Sequence, residues 1–70
     1  MEASDFISYL CTISKLDPDK FKVKFVEQHT VRVDCVNYQA AQYAWKYRRL
    51  LSPAQIQVYV NNQLFAEKLN

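Results

Sequence analysis

The stretch "LDPDKFKVKF", beginning at Leu16, is echoed by "LSPAQIQVYV", beginning at Leu51, half a chain length further on. Leu16 matches Leu51, Pro18 matches Pro53 and Val23 matches Val58, while Phe21 and Phe25 stand where Ile56 and Val60 stand. A chain of 70 residues that states one pattern twice is read as two half-units, residues 1–35 and 36–70, within a single small domain. Neither half could bury its apolar face alone, so the two must pack together.

Each half opens with helical spacing. Phe6, Tyr9, Leu10, Ile13 and Leu16 recur at intervals of three and four, forming one apolar stripe. Ser4 is the expected cap, and Asp17-Pro18 the expected stop, since a residue before proline avoids the α region. In the second half Asn37 caps a stripe of Ala40, Tyr43, Ala44, Tyr47, Leu50 and Leu51, ended by Ser52-Pro53.

Alternation follows each helix. Phe21, Val23 and Phe25 share one face, with Lys20, Lys22 and Lys24 on the other. Val31, Val33 and Cys35 alternate with Arg32 and Asp34, which predicts a hairpin. An inward residue must oppose an inward residue, because a slip of one reverses every side chain. A three-residue loop at Gln28-His29-Thr30 would pair Phe25 with Val33, Val23 with Cys35 and Lys24 with Asp34. Ile56, Val58 and Val60 make a third strand and Asn61-Asn62 a turn; Gln63 to Glu67 permit either a fourth strand or a short terminal helix, and the repeat favours the strand. The expected fold is α+β, a two-layer sandwich in the order α-β-β-α-β-β. Its four-stranded antiparallel sheet carries two helices on one face, with a possible internal duplication.

Composition excludes several functions. The chain has no glycine, so it has no glycine-rich phosphate loop. Its one histidine, His29, falls at a predicted hairpin tip, and no metal-ligand spacing or nucleophile–base pattern accompanies it. We therefore expect no enzyme, no cofactor, no metal and no small-molecule substrate. Cys11 and Cys35 lack Cys-x-x-Cys spacing and read as reduced thiols in a cytoplasmic protein. No apolar run reaches the length of a membrane span.

Two surfaces stand out. On the second helix, Trp45 falls opposite the apolar stripe, sharing its face with Tyr38, Gln42 and Arg49 and flanked by Arg48. Tryptophan, tyrosine and arginine are the residues enriched at interface hot spots. This patch predicts a protein partner or a homodimer, and makes the chain a small non-catalytic interaction module. The alternative is a single-stranded nucleic-acid site on the outer sheet face, where Lys20, Lys22, Lys24 and Arg32 would surround Tyr59. Cations there would track phosphate and the ring would stack on a base. A net charge of +2 favours the protein-binding expectation over the nucleic-acid one.

Overall fold

The computed structural model describes residues 2–27 and 29–68. Helix α1, Ala3–Ser14, starts one residue before the expected cap, with Glu2 at the N-cap position and Asp5 in the first turn. It also stops short of Asp17-Pro18. Lys15 turns left-handed (φ 62°) and its N–H donates to the Cys11 carbonyl at 2.9 Å. The Ser14 hydroxyl donates to the Leu10 carbonyl and accepts from the Leu16 N–H, so local polar groups end the helix before the proline is reached. The expected stripe faces inward: Phe6 and Leu10 are fully buried, Ile13 and Leu16 half-buried. Tyr9 lies at its margin, edge-on to Tyr47 with ring centres 5.6 Å apart.

A 3₁₀ turn, Pro18–Lys20, leads into β1, Phe21–Glu27. Lys20 therefore belongs to the turn and not to the strand. Strand β2 is Thr30–Cys35. The pairs are Phe21–Cys35, Lys22–Asp34, Val23–Val33, Lys24–Arg32, Phe25–Val31 and Glu27–Thr30. This is two residues away from the expected register. The expectation assumed a regular ladder, under which a two-residue turn would have set Phe25 against Arg32. A bulge between Phe25 and Glu27 absorbs one residue, restores the inward parity and removes Thr30 from the loop. His29 takes φ 68° in that turn, while Gln28 lies outside the described residues.

Helix α2, Tyr38–Lys46, is capped as expected: the Asn37 side chain accepts the Ala40 N–H at 2.9 Å. It ends at Lys46, and Arg48–Leu51 forms a 3₁₀ turn. The buried residues of α2 are Ala40, Ala41 and Ala44. Burial of Ala41 turns the helix by roughly 60° from the phase that a stripe of Ala40, Tyr43, Ala44 and Tyr47 implies. Three alanines let the helix lie close on the sheet, whereas the larger Tyr43 and Tyr47 pack at its flank.

Strands β3, Gln55–Val60, and β4, Gln63–Lys68, complete the sheet, and the fourth segment is a strand as expected. Asn61 and Asn62 both take positive φ (53° and 64°), the geometry that a two-residue hairpin turn demands and that asparagine tolerates. The strand order is β1-β2-β3-β4, with the helices packed against the sheet. The two-layer α-β-β-α-β-β architecture is thus the expected one. The sheet is mixed, however: β1–β2 and β3–β4 are antiparallel, but β2–β3 is parallel, from Thr30–Gln55 to Cys35–Val60. A helix that carries the chain back along the sheet brings it to the end where it started, so the next strand runs parallel to the last. That consequence of α2 was missing from the all-antiparallel expectation.

The core lies between the layers, where Phe6 and Leu10 meet Val33, Ile56 and Val58. Burial follows position in the sheet. Interior strand β3 buries alternate residues throughout and β2 does so from Val31 onward, with Thr30 buried as well; β1 buries only Phe21, and β4 buries none. The two halves repeat in element order, but β1 is outermost while β3 is interior, and the two run in opposite directions.

Candidate functional site

The rotation of α2 decides what becomes of Trp45. The indole is half-buried and packed against the core. The Arg48 guanidinium covers it, 4.1 Å from the ring centre, and Arg48 Nη1 donates to the Trp45 carbonyl at 2.9 Å. The exposed tryptophan expected from the sequence is therefore a covered one. Its expected companions are dispersed. Tyr38 is exposed at the start of α2, its ring 6.1 Å from that of Phe65 on β4. Gln42 lines a shallow depression with Gln39, Tyr43 and Lys46. Arg49 is exposed beside Ser52, Pro53 and Lys68.

On the outer face of the sheet, rows of side chains run across the strands. One row is Lys22, Asp34, Tyr59 and Leu64; the next is Lys24, Arg32, Gln57 and Glu67. Arg32 is committed within this face. Its Nη2 and Nε meet Asp34 Oδ1 at 2.9 and 3.0 Å, and its guanidinium lies 3.8 Å from the centre of the Tyr59 ring. Asp34 also draws Lys24, at 3.9 Å. The ring that was to stack on a base is thus already stacked on a guanidinium whose charge is neutralised by a carboxylate. Lys22 and Lys24 remain exposed on this face, and Lys20 stands apart in its turn, where its carbonyl accepts the Val36 N–H.

A third surface went unnoticed in the sequence. Phe25, expected to face the core, is 75% exposed, and Val26 next to it is 49% exposed. Both belong to β1, which among the described residues has a neighbouring strand on one side only. Phe25 borders an open hollow of about 500 Å³ lined by Glu2, Ala3, Ser4, Val31, Leu51 and Ala54, at the start of α1. The ring shares the helix side of the sheet with Val31, beyond the reach of the α1 core residues. The signal was present: Phe25-Val26 breaks the alternation, and two neighbouring residues cannot both face inward on a regular strand.

The backbone of this edge can be assigned. Val36 N–H donates to the Lys20 carbonyl at 3.2 Å, which makes that pair a hydrogen-bonded one. By antiparallel alternation Lys22 and Lys24 also exchange bonds with β2, and the N–H and C=O of Val23 and Phe25 point to the open side.

Neither thiol is activated as a nucleophile. Burial, and then Asp34, pushes the Cys35 thiol up to about 12. Burial, followed by Asp17 and Asp19, also raises Cys11. Reactive thiols are lowered, not raised. His29 is exposed, and its carbonyl accepts the Gln55 N–H at 2.6 Å, tying the first hairpin tip to the start of β3. Among the described residues no cluster of three or more histidine, cysteine, aspartate or glutamate side chains could hold a metal ion, and no helix is long and apolar enough to cross a membrane. Comparison with protein-family models, with curated proteins and with solved structures finds no match.

Proposed function

We propose that this chain is a small, non-catalytic, cytoplasmic module that binds another protein through the open β1 edge of its sheet. The observation that carries this reading is the exposure of Phe25, 75% in a strand whose counterpart residue Val60 is 4% exposed. A large aromatic beside Val26 and an apolar hollow is costly to leave in water, and a contiguous apolar patch of this kind is what a binding surface presents. The site consists of Phe25 and Val26 with the hollow beside them, and not of Trp45 and its neighbours. In this reading Trp45 and Arg48 stabilise the α2 end of the core. Arg32, Asp34 and Tyr59 stiffen the outer face of the sheet, which counts against the nucleic-acid alternative.

The test is a selection of random displayed peptides on the immobilised protein, with Phe25→Ser as counter-screen. Its thermal melt is run alongside to show that the variant is folded. The expected result is a set of peptides bound by the parent and weakened at least roughly tenfold by Phe25→Ser, as loss of a central aromatic anchor entails. Failure to enrich any peptide, or equal binding by the variant, overturns the proposal.

A further inference from the structure

Resting on that reading, we infer that the partner adds an antiparallel strand to β1, and that this strand carries acidic residues at alternate positions with apolar residues between them. Val23 and Phe25 direct their N–H and C=O groups to the open edge, so they would form the hydrogen-bonded pairs with an added strand. Lys22 and Lys24 then fall at the intervening pairs, where side chains of adjacent strands come closest. Both lysines lie on the outer face, and their counterparts on the added strand would lie there too.

Like charges directly opposite across a ladder repel, and opposite charges attract. A second copy of β1 is a poor occupant. In antiparallel registers centred on Lys22, Val23 or Lys24, lysine meets lysine. The register centred on Phe25, counted through the bulge at Val26, sets Glu27 against Lys24 but carries Lys22 past the end of the second copy's strand, so that lysine goes unanswered. Strand β4 of a second copy is no better. Leu64 and Glu67 are its outer-face residues in these rows, so one carboxylate would face two lysines. A strand with aspartate or glutamate at two alternate positions answers both lysines. Its intervening residues, paired with Val23 and Phe25, would lie on the helix side and cover the exposed Phe25 ring. Acid on one face and apolar groups on the other is therefore the pattern this edge recognises.

The probe is an eight-residue peptide of alternating glutamate and valine with blocked ends, compared with a lysine–valine peptide of the same length. Binding is followed by NMR titration and amide exchange. We expect the acidic peptide to bind roughly tenfold or more tightly than the basic one, since two attractive cross-strand pairs replace two repulsive ones. Exchange at the Val23 and Phe25 amides should slow on binding. Lys22→Glu with Lys24→Glu should reverse the preference, and Lys22→Gln with Lys24→Gln should abolish it. Equal affinity for the two peptides, or unprotected Val23 and Phe25 amides in the complex, overturns the inference. Displayed peptides that depend on Phe25 but lack alternating acids overturn the strand proposal and leave protein binding standing. The absence of any Phe25-dependent binder overturns protein binding itself.

Discussion

The guanidinium of Arg48 lies 4.1 Å from the centre of the Trp45 ring, and the same side chain donates to the Trp45 carbonyl. One arginine thus shields the indole and caps the end of α2, where the carbonyls lose their helical partners. We expect Arg48→Ala to cost about 1 kcal/mol, from a cation–π contact and a hydrogen bond at a half-buried site. It should also shift Trp45 fluorescence to longer wavelength as water reaches the ring. Trp45→Ala should cost more, about 2–3 kcal/mol, below the range for a fully buried tryptophan. Urea melts of the two variants check the order. An Arg48→Ala protein with unchanged stability and emission would mean that the arginine does not cover the ring in solution.

Phe25 and Phe6 are the same residue type in opposite settings, 75% and 0% exposed. Phe6→Ala should cost about 3–5 kcal/mol, enough to unfold a domain with a core this small. Phe25→Ser should change stability by no more than about 0.5 kcal/mol, the usual range for a surface change away from packing. Thermal melts of both variants separate a core phenylalanine from one kept at the surface. A large loss on Phe25→Ser would show that its ring closes over the hollow.

The outer sheet face offers two cations to a nucleic acid strand, Lys22 and Lys24, because Arg32 is held by Asp34 and stacked on Tyr59. Any binding to a labelled single-stranded oligonucleotide should therefore be weak, with a log–log salt slope no steeper than about −1.4 for two phosphate contacts. Fluorescence anisotropy with salt back-titration reads this directly. A slope beyond about −3 would require further cations to converge, and would reinstate the nucleic-acid reading with Arg32 released from its carboxylate.

The element order was legible because each segment carries its own period: Phe6 and Leu10 four apart, Val31, Val33 and Cys35 two apart, Asn61-Asn62 at a turn. What was not legible depends on how segments meet. The parallel pairing of β2 with β3 follows from the path of α2 across the sheet, which no local pattern records. The bulge at Val26 altered a register that parity alone had set two residues away. The phase of α2 turned on Ala41, since an alanine reads as neutral on a helical wheel until the distance to the sheet is known. Trp45 was misplaced for the same reason, and Phe25 because its inward parity is right while the helix layer does not cover it. Edge and interior strands look alike in sequence, yet that difference separates the covered Val60 from the exposed Phe25.

Cys35 gives the fold a pH dependence of known sign. The thiol is 4% exposed and its folded value is raised to about 12 from 9.0, chiefly by burial and then by Asp34. Because the folded value is raised, the folded state keeps its proton where the unfolded chain has lost it. The contribution of the thiol is therefore complete below about pH 9 and is lost as pH climbs from about 9 towards 12. Stability should fall in that window by up to about 1.4 kcal/mol per pH unit from this group alone. Tyrosines and lysines titrate there too, so the readout is the difference between the parent and Cys35→Ala in urea melts at pH 8 and pH 10. Alanine leaves a small void and a fixed cost at both values, but removes the titration. The gap between the two proteins should narrow by about 1.4 kcal/mol between pH 8 and pH 10. A gap that stays constant would mean that the Cys35 thiolate is tolerated in the folded protein, through water reaching the β2 end of the core.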